Sequence, residues 1–414
     1  LDTPTEINAP SLAFRAIGAG LSLAERAIPA KLLPGRDPAG LIRAAKASPS
    51  PAAIQGLLEL SAAIDAESDL TMFGRLSTRW DFLRLLRNAQ MIEDRHENDF
   101  TLRHETVVAP IFILGLPRSG TSFLHSLLAE DEANLVPRNW QTIYPAPRPP
   151  DFAPGQDKRA RTVDSQLKFF AGLAPEFPAV HPITADSPQE CSEITAHVFQ
   201  SLRFDTTYRV SAYRAWLDAR GHRDAFAFHK KFLQVLQSGL TARRWVLKCP
   251  DHIFSMDAIL ETYPDARFVV VHRDPVRVFG SVAHLTGVLR RPFVKNVDPA
   301  DIGRQVSERW IDGAERLVAF DRREDVAPAR KIHLHYEDLV GFPLQAVARI
   351  YETFGLPLLP AAREAMARSL AARPRGGYAQ RRYALGPFGI SQASLGPGFA
   401  PYLDYFGIVP QAAE

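Results

Sequence analysis

Apolar positions follow two different rhythms along the chain. Up to about residue 105 they recur at helical spacing. An Ala-rich amphipathic pattern covers residues 12–28 and returns over 52–66, and a third stretch, 73–91, carries Phe82, Leu83, Leu85 and Leu86 on one side. These segments predict helices packed as a cap on the rest of the chain. Basic residues do not dominate their polar faces, which argues against helices lying on a membrane surface. From Pro110 onward, short β-prone runs alternate with helical stretches. Residues 111–114, 245–248, 268–271 and 332–335 are each almost continuously apolar, as strands are when helices cover both faces of their sheet.

The expected architecture is therefore α/β, in three α/β/α layers around a parallel sheet. A helical region (1–105) precedes an α/β domain (106–414) that carries an insertion at about 137–240 and a lid at about 373–400. The insertion opens with Pro137, Pro145, Pro147, Pro149, Pro150 and Pro154, which force extended or looped backbone, and reads as mostly helical after Gln156. Residues 373–398, rich in Gly, Arg and aromatics, read as a long ordered loop or lid.

Composition narrows the function classes. Of the 414 residues, 46% are hydrophobic and 23% charged, ordinary values that exclude disorder, collagen and coiled coil for most of the chain. No apolar run approaches the roughly 18–20 residues of a membrane-spanning helix, so no transmembrane segment is expected. With 49 basic and 46 acidic residues the net charge is only +3, which disfavours a nucleic-acid partner. Local basic clusters can still hold a small anion. Two cysteines, Cys191 and Cys249, rule out a disulfide framework or a cysteine-rich metal site and suit a reducing compartment. The first ten residues lack the pattern of a secretory signal, and the expected location is cytoplasmic.

The strongest local signal follows the first apolar run. Gly115, Leu116, Pro117, Arg118, Ser119, Gly120, Thr121 and Ser122 form a glycine-bracketed loop that leads into a helix. Such a loop turns successive backbone N–H groups toward one point, where the helix N-terminus adds partial positive charge. The result is a cradle for phosphate or sulfate. Its spacing approaches the nucleotide P-loop, G-x-x-x-x-G-K-[ST], but Thr121 stands at the lysine position and the cation, Arg118, sits inside the loop. The plainer alternative is a tight strand–helix turn without a ligand. A second signal follows the third run: His272, Arg273, Asp274 and Pro275, then Ser281. Asp274 can cap a helix with Pro275 in its first turn. Arg273 then sits at the carboxyl end of a buried strand, where open parallel sheets hold ligands, and Ser281 lies two turns on, near the same face. An arginine with a hydroxyl suits a further phosphate, although an Asp–Arg pair closing a loop would read the same way.

In this order and spacing the two motifs resemble the sulfotransferases that use 3′-phosphoadenosine 5′-phosphosulfate (PAPS). The resemblance extends to Val246, Leu247, Lys248, Cys249 and Pro250, to Tyr336, Glu337, Asp338 and Leu339, and to Arg382, Tyr383, Phe388 and Gly389. It is similar in pattern to the bacterial and tyrosylprotein branches of the family and covers about residues 110–406. It implies a P-loop-like fold and PAPS as donor, without a metal. The donor would be held by Pro117, Arg118, Ser119, Gly120, Thr121, Ser122, Arg273, Ser281, Arg382 and Tyr383. The implied acceptor is a small-molecule or lipid-like hydroxyl, or an amine, bound between the insertion and the tail.

One position departs from the family pattern. Gln141 stands where relatives place an acid shortly after the phosphosulfate loop, and a glutamine accepts no proton at neutral pH. The remaining candidates for a base are His181, before Pro182, and Glu190. Glu190 has a competing structural role, because Ser187, Pro188 and Glu190 spell a capping box at a helix start. His181 could equally be a surface-loop histidine. The catalytic set expected here is Glu190, His181, Lys248 and Arg118, with Glu190 slightly ahead of His181 as base and His252 a minor addition. Two rivals predict other features. A P-loop kinase needs a loop lysine and a strand ending in a metal-binding aspartate, and this chain offers Thr121, His272 and Arg273 there. A non-catalytic nucleotide-binding protein finds support only in Gln141.

Overall fold

The computed structural model describes residues 37–145, 157–241, 244–372 and 383–409, with a few isolated positions before residue 37. Five parallel strands form the sheet: β1 (Ile111–Leu114), β2 (Asn134–Leu135), β3 (Arg244–Lys248), β4 (Arg267–His272) and β5 (Lys331–His335), in the order β2-β3-β1-β4-β5. Side-chain alternation explains why four of these read as unbroken apolar runs. Ile111, Ile113, Val246, Val269 and Val271 pack on one face with Leu124, Leu127, Val347 and Ile350. Phe112, Leu114, Trp245, Leu247, Phe268 and Val270 pack on the other with Ile259, Leu317 and Phe320. The architecture is the expected three-layer α/β/α. The two-residue β2 is an addition, too short to leave a pattern.

Each expected strand is present, lengthened by one residue at its start in β3, β4 and β5 and by one at the end of β4. The second and third front helices run Pro51–Glu67 and Met72–Asn98, started by Ser50 and Thr71, whose hydroxyls accept from Ala53 N–H and Gly74 N–H. Leu57, Leu60, Ile64, Phe82, Leu85 and Ile92 join the same core as the sheet's Phe112 face, so this region packs on the α/β core. Most of the helix expected over 12–28 lies outside the described residues.

Two expectations are corrected. The tail is not a long loop beyond residue 391: Gln392–Tyr405 is a helix capped by Ser391, and Pro397 and Pro401 inside it are what hid its helical pattern. The capping box at Ser187 does not form either. The helix there runs Ser192–Thr195 behind Cys191, and the Ser187 hydroxyl instead accepts from Thr184 N–H at 2.9 Å. Pro188 meets Arg138 in an isolated bridge, so the segment is extended and Glu190 is released from any capping role.

Candidate active site

Three adjacent strands, β3, β1 and β4, deliver the candidate residues to one edge of the sheet. After β1 the chain turns at Gly115, with φ +153°, where a Cβ would meet the Val271 carbonyl oxygen at 2.6 Å. Only glycine fits that approach. Gly120, at φ +93°, then starts the helix Thr121–Leu128. Within this loop Arg118 adopts φ +66°, uncommon for a residue with a side chain and worth an explanation. Two contacts supply one. Its guanidinium donates to the Val180 carbonyl at 3.2 Å, and its own carbonyl accepts from Arg273 Nη1 at 2.9 Å.

That second bond joins the loop after β1 to the Arg273 motif at the end of β4. Arg273 leaves the end of β4, lies 3.7 Å over the Tyr336 ring, and reaches back to the β1 loop. Burial lowers the pKa of both arginines, partly offset by Tyr383 and Tyr336 at Arg118 and by Tyr336 and Glu337 at Arg273. Both stay cationic, as guanidinium does in proteins. Asp274 accepts from Val276 N–H at 2.9 Å and caps the helix Pro275–Arg290, as its sequence suggested.

Ser119 Oγ and Ser281 Oγ are buried and have no hydrogen-bond partner among the described residues. Two arginines, with one unpartnered hydroxyl in the loop and another on the helix that follows Arg273, form a donor set that fits a doubly phosphorylated ligand. Thr121 is buried at the helix start, Pro117 is half-buried, and Ser122 faces outward. Tyr383 docks on the helix that follows Arg273: its ring stacks on His284 at 4.3 Å, and its carbonyl oxygen would lie 2.2 Å from a Cβ on Gly280. Arg382 lies outside the described residues.

A second cluster adjoins the loop. Lys248, at the end of β3, is 3% exposed and forms an ion pair with Glu190, which keeps 29% exposure. The insertion is tied to β3 here, since Cys191 N–H donates to the Lys248 carbonyl at 3.2 Å. Burial works to raise the Glu190 carboxyl, but the Lys248 ammonium, helped by His181, outweighs it and holds the group below its ordinary value. His181 is pushed down to about 4, chiefly by burial and further by Lys248 and Arg118, against the opposing pull of Glu190. The structure thus brings Arg118, His181, Glu190 and Lys248 into one electrostatic neighbourhood.

The remaining candidates fall elsewhere. Gln141 is buried, and its side-chain oxygen accepts from Arg138 N–H at 3.0 Å, closing the start of the helix Asn139–Ile143. His252 is buried edge-on to Phe112, 5.0 Å between ring centres. Sequence reasoning missed Asp251, two residues from the Lys248–Cys249 pair. Burial, then Glu190, push its carboxyl up to about 7, against Arg309. It also gave no role to Tyr336, whose ring supports Arg273. The only signals were that Asp251 directly follows the 246–250 motif and that Tyr336 opens the 336–339 motif.

Among the described residues no helix is long and apolar enough to cross a membrane. The chain matches the model of the sulfotransferase family over residues 110–360. It is 29% identical over 268 residues to the omega-hydroxy-beta-dihydromenaquinone-9 sulfotransferase of Mycobacterium tuberculosis, an alignment covering 61% of this chain and 64% of that protein. The match therefore spans less than two thirds of that relative. Among solved structures it is similar to sulfotransferase STF9 of Mycobacterium avium, with a TM-score of 0.82 and 25% identity over 93% of this chain and 100% of the other. It is also similar to sulfotransferase STF1 of Mycobacterium tuberculosis, with a TM-score of 0.77 and 26% identity over 90% and 99%. A glycine-bracketed strand–helix loop bonded to the arginine at the end of the neighbouring strand, on a sheet shared with these proteins and under a family match over more than half its length, makes this chain a member of the sulfotransferase family.

Proposed function

We propose that the protein moves a sulfuryl group from PAPS to a hydroxyl of a lipid-like acceptor. The observation that carries this reading is the bond from Arg273 Nη1 to the Arg118 carbonyl, which joins the loop after β1 to the end of β4, with the Ser119 hydroxyl buried in that loop and without a hydrogen-bond partner among the described residues. In this reading the 117–122 loop and Arg118 hold the 5′-phosphosulfate, and Arg273 with Ser281 holds the 3′-phosphate. Tyr383 stands beside them, and the family resemblance adds Arg382. When bound, PAPS supplies an activated sulfuryl group. The protein's own work is to hold charge and move one proton. Arg118, Lys248 and the loop amides present fixed positive charge where negative charge grows, and preorganised charge of this kind needs no reorganisation at the moment of transfer.

Glu190 is the proposed base. While Lys248 holds it, the carboxylate is a weak one. Once the ammonium turns toward negative charge at the loop, Glu190 loses its counter-ion, and burial then raises its basicity. It can take the acceptor's hydroxyl proton at that moment. His181 is neutral at pH 7, so a ring nitrogen can accept a hydrogen bond and orient the acceptor. A lipid-like acceptor is supported by the hydroxylated menaquinone named for the mycobacterial relative. Two buried free cysteines fit a reducing compartment, which makes the cytoplasm the proposed location.

The deciding experiment incubates the protein with sulfur-labelled PAPS and a panel of hydroxylated lipids, phenols, simple alcohols and amines, in the presence of EDTA. A sulfated lipid of the expected mass, formed without added metal, is the expected product. Tight donor binding with no sulfated product from any class would overturn the catalytic reading.

A further inference from the structure

The C-terminal helix Gln392–Tyr405 reaches the buried end of β4 through a single file of hydrogen bonds. Tyr402 Oη lies 3.0 Å from His272 Nδ1, His272 Nε2 lies 2.8 Å from His333 Nδ1, and His333 Nε2 lies 3.0 Å from Asp321 Oδ1. Donor accounting gives this file one direction. Asp321, an ion-pair partner of Lys331 at 3.4 Å, only accepts, so His333 carries its proton on Nε2. His333 Nδ1 must then accept, which puts the proton of His272 on Nε2. His272 Nδ1 is left as an acceptor for the Tyr402 hydroxyl. Phe406 stacks on His272 at 4.0 Å and His272 itself is fully buried, so water does not reach the links that His272 makes.

The file ends beside the donor site. His272 is the residue before Arg273, and the backbone of Arg273 hydrogen-bonds to the same Tyr402 hydroxyl. The hydroxyl therefore touches both residues that fix how Arg273 leaves the strand. We propose that Tyr402, His272, His333 and Asp321 form a positioning relay, through which the C-terminal helix sets Arg273 and with it the preference for a 3′-phosphate. None of the four touches the donor. The inference rests on the reading of Arg273 as the 3′-phosphate residue.

The test is calorimetry with adenosine 3′,5′-bisphosphate and adenosine 5′-phosphate, which differ only in the 3′-phosphate. Tyr402→Phe keeps the ring and removes one hydroxyl. It is expected to narrow the ratio of the two affinities by about threefold to tenfold, the worth of one hydrogen bond, through weaker bisphosphate binding alone. Asp321→Ala acts at the relay's more exposed end, where Asp321 and His333 keep 23% and 31% exposure, and supplies a second variant should Tyr402→Phe not fold. Asp321→Asn retains an acceptor oxygen and should restore most of the ratio. If Tyr402→Phe and Asp321→Ala keep the wild-type ratio while Arg273→Ala loses it, the relay is overturned and the donor site stands. If the wild-type protein does not discriminate the two nucleotides, the donor-site reading falls and the relay with it.

Discussion

Glu190 and Lys248 are worth breaking one at a time, because stability and catalysis then part company. Glu190→Gln keeps the shape of the side chain and removes its charge, leaving Lys248, at 3% exposure, without a counter-ion. Removing one member of a buried pair costs about 3–5 kcal/mol. Glu190 retains 29% exposure, so solvent relieves part of this, and a loss near the lower end, about 3 kcal/mol, is expected. Urea unfolding should show it as a lower midpoint with an unchanged slope. Replacing both residues, Glu190→Gln with Lys248→Met, removes the stranded charge and should recover most of that stability. Turnover should not recover. At saturating donor, Glu190→Gln is expected to lower kcat by about 10²–10⁴-fold, the usual consequence of losing a general base, and the double variant should be no better. A double variant that is both stable and within tenfold of wild-type kcat would refute the catalytic role of the pair. A Glu190→Gln protein that unfolds at the wild-type midpoint would refute the buried-pair reasoning itself.

Three further changes probe other parts of the site. Arg273→Ala should weaken adenosine 3′,5′-bisphosphate binding by roughly tenfold to a hundredfold and leave adenosine 5′-phosphate almost unaffected in calorimetry, since a charge-assisted bond to phosphate is worth about 1.5–3 kcal/mol. Gly280→Ala places a methyl 2.2 Å from the Tyr383 carbonyl oxygen, so donor affinity should fall as the Tyr383 segment is pushed away; a higher melting temperature from better helix propensity with unchanged affinity would refute that docking. Asp251, pushed up by burial to about 7 from an ordinary 3.8, binds its proton more tightly in the folded state, so its contribution is full below pH 4 and is lost as pH rises through 7. Asp251→Asn should therefore melt higher than wild type at pH 8 and alike near pH 4, and parallel melting curves across that range would contradict it.

Much of this was legible in the sequence because it is local. Runs such as Ile111–Leu114 are apolar on both faces wherever helices sandwich a sheet, and the loop that follows announces itself by glycines at its two ends. Asp274 and Pro275 mark their helix by cap chemistry alone. The misreadings share a cause. Ser187, Pro188 and Glu190 satisfy a capping rule locally, but Glu190 is claimed by Lys248 on a strand 58 residues away, and the backbone there is extended. Pro397 and Pro401 signal a break, yet the Gln392–Tyr405 helix survives because Leu395, Phe399, Tyr402 and Leu403 are buried against the core. In each case a tertiary contact overrode a local preference, and no spacing rule carries that information.

The position of Gln141 takes its meaning from the same geometry. An acid just after the loop would have to sit on the short helix Asn139–Ile143, where the residue at 141 turns inward to cap its own helix through Arg138 N–H. An uncharged glutamine is suited to that buried post, since a carboxylate there would be desolvated as well as bonded. The proposed base, Glu190, lies instead on the insertion, fastened to β3 by the bond between Cys191 N–H and the Lys248 carbonyl. That one bond sets the backbone beside Glu190 against the strand that carries its lysine. A carboxylate tied to β3 in this way is fixed by the sheet and does not depend on the helix that carries Gln141.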